Sequence, residues 1–168
     1  FITATNNGIS LLPNFTLNKP AYLFDLSMGK GRFSMDPMIR FAWDGKPWSF
    51  IFWARYKVFT QKHFTMAIGA HPSFVFRPVT LTSAVGQSEV LRAQRFFAGE
   101  MTPTYIFNKH FNVGIHYLYS NGLEKDITQH THFIALRSTV SNISLPLRMI
   151  FSMTPQVYFL KMDQLKGT

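Results

Sequence analysis

The chain of 168 residues is rich in apolar (46%) and aromatic (16%) residues, has few charged residues (15%) and carries a formal net charge of +9. This composition excludes a disordered chain and is sufficient for one domain, residues 1–168, with a sizeable core. The absence of cysteine excludes disulfides and thiolate metal sites. The chain contains no run of basic residues, so its net charge is weak evidence for nucleic-acid binding. The longest apolar run, residues 50–54, is too short for a membrane helix.

Alternating apolar and polar residues predict antiparallel strands along the whole chain. The pattern starts in mid-strand at residues 1–5 and continues at 9–17, 22–28, 33–43, 48–59, 64–78, 90–107, 111–119, 130–141 and 147–159. Longer loops at 80–89 and 121–129 alternate with short turns at 60–63, 108–110 and 142–146. This order predicts an all-β, antiparallel up-and-down transmembrane β-barrel, of which about ten strands are visible.

The clearest element is the hairpin over residues 32–58, which turns at Asp44–Pro47. One parity of each arm is apolar over about a dozen residues, whereas a soluble strand usually has about 5–6 residues in all. The opposite parity carries the charged residues Asp36, Arg40, Arg55 and Lys57. A soluble core rarely contains so many charges. The apolar face is therefore interpreted as facing lipid and the charged face as facing a barrel interior.

The predicted barrel interior is basic. Its charged residues are Asp25, Asp36, Arg40, Arg55, Lys57, Arg77, Arg92, Glu100, Arg137 and Arg148. Because cations outnumber carboxylates, a water-filled lumen would favour anions, which makes small anionic solutes the expected cargo. The alternative is a plugged barrel whose charges pair with one another, because side chains largely fill barrels of this size. Such a barrel would be a structural or interaction component, with outer-membrane lipid and other envelope proteins as partners.

An aromatic girdle is predicted at the ends of the lipid-facing band. Its residues are Trp43, Trp48, Tyr56, Tyr105, Tyr117 and Tyr119. Five prolines also fall inside predicted strands, all with outward parity: Pro13, Pro37, Pro72, Pro103 and Pro155. Because each proline removes one ladder donor, we expect these positions to be bulges or strand breaks.

Three stretches of the chain resemble porin-like outer-membrane β-barrel proteins of Bacteroidetes-type bacteria. They are GRFSMDPMIRFAWDGKPWSFIFWARYKV, PTYIFNKHFNVGIHYLYSNG and PQVYFLKMD. The resemblance implies a location in the bacterial outer membrane and a barrel architecture, and it implies no particular activity. Barrels of this kind commonly end on an aromatic residue, whereas this chain ends at Thr168. We therefore expect a fragment of a barrel of about twelve strands, since such barrels have even strand numbers.

The chain contains no familiar catalytic pattern. It has serines and histidines but no G-x-S-x-G nucleophile elbow and no Gly-rich phosphate loop. His130 and His132 share one strand face at the spacing of a bidentate metal pair, without a third ligand nearby in the sequence. We therefore expect no catalytic residues, no metal and no cofactor. The alternatives are a soluble β-barrel or sandwich that binds an apolar or glycan ligand, and a barrel-borne lipid hydrolase.

Overall fold

The computed structural model describes residues 1–10, 15–83, 86–145 and 149–163, and these residues form eleven β-strands. The strands are β1 (Ile2–Thr5), β2 (Ala21–Asp25), β3 (Met28–Lys30), β4 (Phe33–Ala42), β5 (Pro47–Thr60), β6 (Phe64–Ser83), β7 (Gly86–Asn108), β8 (Phe111–Gly122), β9 (His130–Leu145), β10 (Met149–Met153) and β11 (Gln156–Met162). No helix in this part of the chain is long and apolar enough to cross a membrane.

All strands belong to one antiparallel sheet in the order β1-β2-β4-β5-β6-β7-β8-β9-β10. The short strand β3 also pairs with β4, and β11 continues the edge beside β9 after β10. The prediction of an all-β antiparallel fold is confirmed. Within the described ranges, β1 at one edge and β10 and β11 at the other are not paired with each other, so the sheet is open.

Several predicted segments differ from the structure. The expected turn at 142–146 is wrong for its described part, because residues 142–145 belong to β9. The expected loop at 80–89 is wrong, because β6 and β7 stay paired up to Ser83 and Gly86 and form one long hairpin. The expected strand at 9–17 is also wrong for its described part, since residues 9, 10 and 15–17 lie outside any strand. Instead the chain closes a loop through backbone hydrogen bonds from Gly8 to Lys19 and from Leu17 to Gly8, each 2.8 Å long. We call the described residues of this segment, 8–10 and 15–19, the inner loop.

The prolines are accommodated in two ways. Pro37, Pro72 and Pro103 lie inside continuous strands, opposite Phe52, Phe97 and Met66. Pro155 marks a true break, because it separates β10 from β11, which both pair with β9. Pro13 lies outside the described residues.

The sheet has an inner face and an outer face of opposite character. We define the inner face by the parity of Ile51, Trp53 and Arg55 on β5 and by the residues that pair with them across the sheet. Its buried apolar cluster is Phe15, Ile51, Trp53, Val75, Phe96, Ala98, Leu118, Ile127, Phe133 and Ala135. The outer face leaves large apolar side chains exposed. The inner face therefore combines apolar packing with charge, and the apolar cluster fills a larger part of it than the charged residues of the sequence pattern indicated.

The hairpin of β4 and β5 contains a β-bulge that changes the direction of one tryptophan. Arg40 pairs with Ser49, but the next residue, Phe41, pairs with Pro47, so Trp48 is the extra residue. Its side chain is completely buried, and its indole N–H donates a 2.8 Å hydrogen bond to the carbonyl oxygen of Phe15 in the inner loop. The prediction that Trp48 belongs to an exposed girdle is therefore wrong, because the bulge turns it inward.

The sheet is curved, with the inner face on the concave side. Arg40 on β4 and Phe133 on β9 line the same cavity although five strand spacings separate them in the sheet order. In a flat sheet, five spacings of about 4.8 Å would hold the two strands roughly 24 Å apart. Phe15 packs into this concavity with its ring 5.2 Å from that of Phe96. The curved sheet and the inner loop together enclose the interior that holds the candidate site.

Candidate functional site on the inner face

The centre of the inner face is an ion-pair network that connects four strands. Arg55 on β5 donates to Asp36 on β4 (Nη1–Oδ2, 2.7 Å) and to Glu100 on β7 (Nε–Oε1, 2.5 Å). The other carboxylate oxygen of Glu100 lies 2.9 Å from Nε2 of His116 on β8. One guanidinium thus serves two carboxylates, and one carboxylate contacts two nitrogen groups.

Gly69 makes this network geometrically possible. In the sheet register Arg55 is opposite Gly69 and Gly69 is opposite Glu100, so the ion pair has to cross β6 above this glycine. A Cβ atom at position 69 would lie 2.8 Å from Oε1 of Glu100 and 3.1 Å from the carbonyl oxygen of Ala54. Any larger residue would therefore push the Glu100 carboxylate away from Arg55.

Three of the predicted interior charges meet in this network, namely Asp36, Arg55 and Glu100, and the others are distributed along the inner face. Arg40 lies over the Trp48 ring, with Cζ 5.3 Å from the ring centroid. Arg92 pairs with Asp126, a residue of the β8–β9 loop. Arg77 lies opposite Arg92 in the register, and Arg148 lies outside the described residues.

Lys57, Arg137 and Asp25 complete the predicted set. Lys57 and Arg137 form no ion pair with a described residue. Asp25 has one carboxylate oxygen, Oδ1, that is buried without a hydrogen-bond partner within the described ranges. The positive charge of the inner face is therefore only partly compensated.

Two cavities lie beside the network, and His116 lines both of them. The first, of about 290 Å³, is lined by Ile9, Ser10, Phe15, Met38, Arg40, Ile51, Trp53, His71, His116, Leu118, Ser120 and Phe133. The second, of about 220 Å³, is lined by Thr102, Thr104, Asn112, Gly114, Ile115, His116, Arg137, Thr139 and Gln156. We call them the apolar cavity and the polar pocket. Glu100 is thus connected through His116 to two spaces of different chemistry.

Gly114 forms the floor of the polar pocket. Thr104, Gly114, Arg137 and Gln156 occupy successive strands in one register row. A Cβ atom at position 114 would lie 2.7 Å from Oγ1 of Thr104, so the glycine makes room for the Thr104 side chain in this row. Hydroxyl, amide and guanidinium groups line the pocket, and all three can donate hydrogen bonds to an oxyanion.

The sequence pattern did not single out several residues of this site, notably Phe15, Trp53, His71 and His116. The strand parity of the two histidines places them on the inner face, beside Ser73 and Leu118. Their contacts depend on which strands become neighbours, and residue spacing carries no such information.

The remaining girdle residues lie on the outer face or at the sheet ends. Trp43 is 61% exposed and stacks on Tyr22 at 4.7 Å, and Tyr56 and Tyr105 are about half exposed. Tyr117 and Tyr119 contact Nδ1 of His132 and His130 at 3.0 and 2.7 Å. The two histidines proposed as a metal pair thus lie beside tyrosines, and no group of three or more potential metal ligands occurs in the described parts of the chain.

The loop between β8 and β9 is held against the long hairpin at one end of the site. Glu124 accepts hydrogen bonds from Nε (2.6 Å) and from the backbone N–H (2.9 Å) of Arg95. Burial alone would raise the pKa of Glu124, but the hydrogen bonds and the charge of Arg95 outweigh it and hold the pKa below the ordinary glutamate range. Ile127 of the same loop inserts into the apolar cluster, so the loop covers part of the interior.

No protein-family model, no characterised protein and no solved structure matches this chain. The functional argument therefore depends on the geometry and chemistry of the inner and outer faces.

Replacing Arg55 tests the network. Arg55→Met should lower the free energy of unfolding by about 3–5 kcal/mol, because it leaves the carboxylates of Asp36 and Glu100 without their cation. Lys57→Met, two residues along the same strand face, is the matched control and should cost about 0.5 kcal/mol or less. Equilibrium chemical unfolding measures both. Adding Glu100→Gln to Arg55→Met should recover part of the loss, and equal costs for the two single variants would contradict the assignment.

Acid should release the β8–β9 loop. Because the folded pKa of Glu124 is depressed, its stabilisation is complete above the unfolded pKa and is lost as the pH falls through the folded pKa. The N–H of Leu123, which donates to the carbonyl oxygen of Arg95, should then lose hydrogen-exchange protection. The measurement is best made with Asp126→Asn, which removes the Arg92 pair from the titration. Protection that stays constant in this variant, or that changes equally after Glu124→Gln is added, would exclude the mechanism.

Proposed function

We propose that this chain forms the wall of a porin-like β-barrel in the bacterial outer membrane, with a non-enzymatic role in admitting small anions. Its outer face would contact lipid, and its inner face would border a narrow basic interior. Closure of the barrel would require strands that pair with the free edges at β1 and at β10 and β11. A transport role is supported by the inner face, which carries partly uncompensated positive charge and borders two cavities.

The observation that carries the proposal is the exposed apolar outer face. Its members on the central and later strands include Ile68 (44% exposed), Phe97 (52%), Met101 (40%), Ile115 (47%), Ile134 (46%) and Leu136 (51%). Isolated exposed apolar residues are common on soluble proteins, but a soluble monomer rarely exposes a continuous apolar surface across several strands. Lipid would remove the cost of this exposure, and strands that alternate between an apolar and a polar face are typical of membrane barrels.

Anion preference is supported by the charges that remain after ion pairing. Arg55 is neutralised by its two carboxylates, but Lys57 and Arg137 form no ion pair within the described ranges. A positive potential in a narrow, low-dielectric interior is screened less than in bulk salt. Guanidinium groups bind phosphate and carboxylate through two hydrogen bonds, so solutes of these classes would interact most strongly.

A second candidate, a non-conducting structural barrel, is favoured by the inner loop. Phe15 belongs to the buried apolar cluster, and the buried Trp48 donates a hydrogen bond from its indole N–H to the Phe15 carbonyl oxygen. Side chains therefore fill much of the interior at this level of the sheet. Such a barrel would stabilise the membrane or bind other envelope proteins and would pass no solute.

A pair of arginine substitutions on β9 tests the lipid-facing assignment. Leu136 lies on the outer face near the middle of β9, whereas Thr139 lines the polar pocket on the inner face. Leu136→Arg should cost about 2–4 kcal/mol near the bilayer midplane, because the charge must enter hydrocarbon. Thr139→Arg should cost much less. Folding into lipid vesicles at increasing urea measures both variants. A neutral or stabilising Leu136→Arg would indicate a soluble protein and would exclude the membrane proposal.

Ion selectivity tests the transport proposal. In planar bilayers under a potassium chloride gradient, the protein purified from its native membrane should show a reversal potential displaced towards the chloride equilibrium potential. Lys57→Glu together with Arg137→Glu should move the reversal potential towards the potassium equilibrium potential, because these two cations have no ion-pair partner among the described residues. Lys161→Glu on the outer face is the charge-matched control and should leave it unchanged. Absence of conductance from a correctly folded barrel would favour the structural candidate, and cation preference in the parent would refute the charge argument.

A further inference from the structure

We propose that the apolar cavity is a binding site for a small apolar monocarboxylate, with Arg40 as the partner of the carboxylate. This inference goes beyond the proposed transport role. It requires only the inner face and the inner loop, so it holds whether the outer face contacts lipid or water.

Arg40 is a partly buried cation that forms no ion pair with a described residue, although the nearby charge of Asp25 attracts it. Its guanidinium has Met38 Sδ as a hydrogen-bond acceptor, at 4.0 Å, and sulfur is a weak acceptor. Its Nε atom is buried and makes no hydrogen bond with the described parts of the chain. The guanidinium also lies over the face of Trp48 and feels the charge of Asp25 without contacting it. Because a desolvated charge is costly without a partner, the empty donor positions of Arg40 indicate that an anion belongs there.

Asp25 on the neighbouring strand does not supply that anion directly. Leu23, rather than Asp25, lies opposite Arg40 in the register, and Asp25 lies opposite Met38. Oδ1 of Asp25 is itself buried without a partner among the described residues. Arg40, which lines the cavity, therefore retains hydrogen-bonding capacity that an added carboxylate can use.

His71 is a second polar group of the cavity lining. Its side chain is 5% exposed, and its Nδ1 atom has no hydrogen-bond partner within the described ranges. The ring is fixed, because it packs edge-on against Trp53 at 4.0 Å and Trp53 is covered on its own face by Arg55 at 4.3 Å. A ring nitrogen held in this way can donate a hydrogen bond to a ligand oxygen.

The rest of the lining determines the class of ligand. Ile51, Trp53, Leu118, Phe133 and Phe15 provide apolar walls, three of them aromatic. The volume of about 290 Å³ corresponds to about ten water-sized groups at roughly 30 Å³ each. Mostly apolar walls with a few buried polar groups are typical of small-molecule sites. A free phosphate would lose its hydration against these walls, so the geometry favours a carboxylate on an aromatic or short aliphatic body.

Ligand-observed ¹⁹F NMR tests this site, with 4-fluorobenzoate as the probe and the protein in lipid nanodiscs or, if it folds without lipid, in aqueous buffer. We expect saturable binding that benzoate displaces and that acetate does not, because acetate lacks the apolar body. Arg40→Met should lower the affinity roughly ten- to hundredfold, the loss expected for hydrogen bonds to a charged group. Arg40→Lys keeps the charge but cannot form the bidentate hydrogen bonds of a guanidinium, so it should give an intermediate loss of affinity. The affinity for the neutral probe 4-fluorobenzyl alcohol should change less than about threefold in either variant.

Arg137→Met is the matched control, since it removes an arginine from the same face but outside the apolar cavity. It should change the affinity for 4-fluorobenzoate less than about threefold. An equal loss in Arg137→Met would indicate a general positive field and would overturn the proposal. Binding no stronger than to empty nanodiscs, or equal displacement by acetate, would also overturn it. Because the readout is binding and not conductance, the result is independent of whether the barrel conducts.

Discussion

The inner face is organised around one buried carboxylate, Glu100, whose charge has to be compensated by neighbouring strands. Glu100 is 8% exposed, and an isolated carboxylate at such a position would carry a desolvation penalty of several kcal/mol. Arg55 and His116 supply the compensation from strands on either side, and Gly69 leaves the gap through which Arg55 reaches Glu100. A carboxylate on β7 thereby specifies the order and register of its neighbours, because another register would separate these partners.

This network divides the inner face into regions with different chemistry. On one side the inner loop, held by Trp48, forms one wall of the apolar cavity. On the other side Gly114 and Arg137 belong to a polar pocket with uncompensated positive charge. His116 borders both regions, so the ion-pair network lies between them. The interior is therefore a set of compartments and not a uniform basic channel, which is why transport and binding are separate functional questions.

Alternation was sufficient to predict a strand and its two faces where one parity is strongly apolar and the ladder is regular, as between Phe64 and Phe76. It failed where long-range contacts override the local pattern. Residues 9–17 alternate like a strand, but the loop closed by Gly8 and Lys19 folds onto the inner face. A residue pattern with a period of two cannot reveal a β-bulge, so Trp48 was assigned to the wrong face of the sheet. The partners of Glu100 and the contacts of Arg40 with Trp48 and Met38 depend on the bulge and on strand neighbours, which residue spacing does not encode.

The bulge in the β4–β5 hairpin shows a conflict between local regularity and global packing. Shortening the segment between Arg40 and Ser49 by one residue would restore an uninterrupted ladder, so the hairpin on its own would be better ordered. In the whole protein the same deletion would direct the Trp48 indole outward and leave the Phe15 carbonyl without its donor. The length of this connection is therefore a constraint set by the interior. Insertions and deletions here should be tolerated less than substitutions, even though the turn itself lies at the surface.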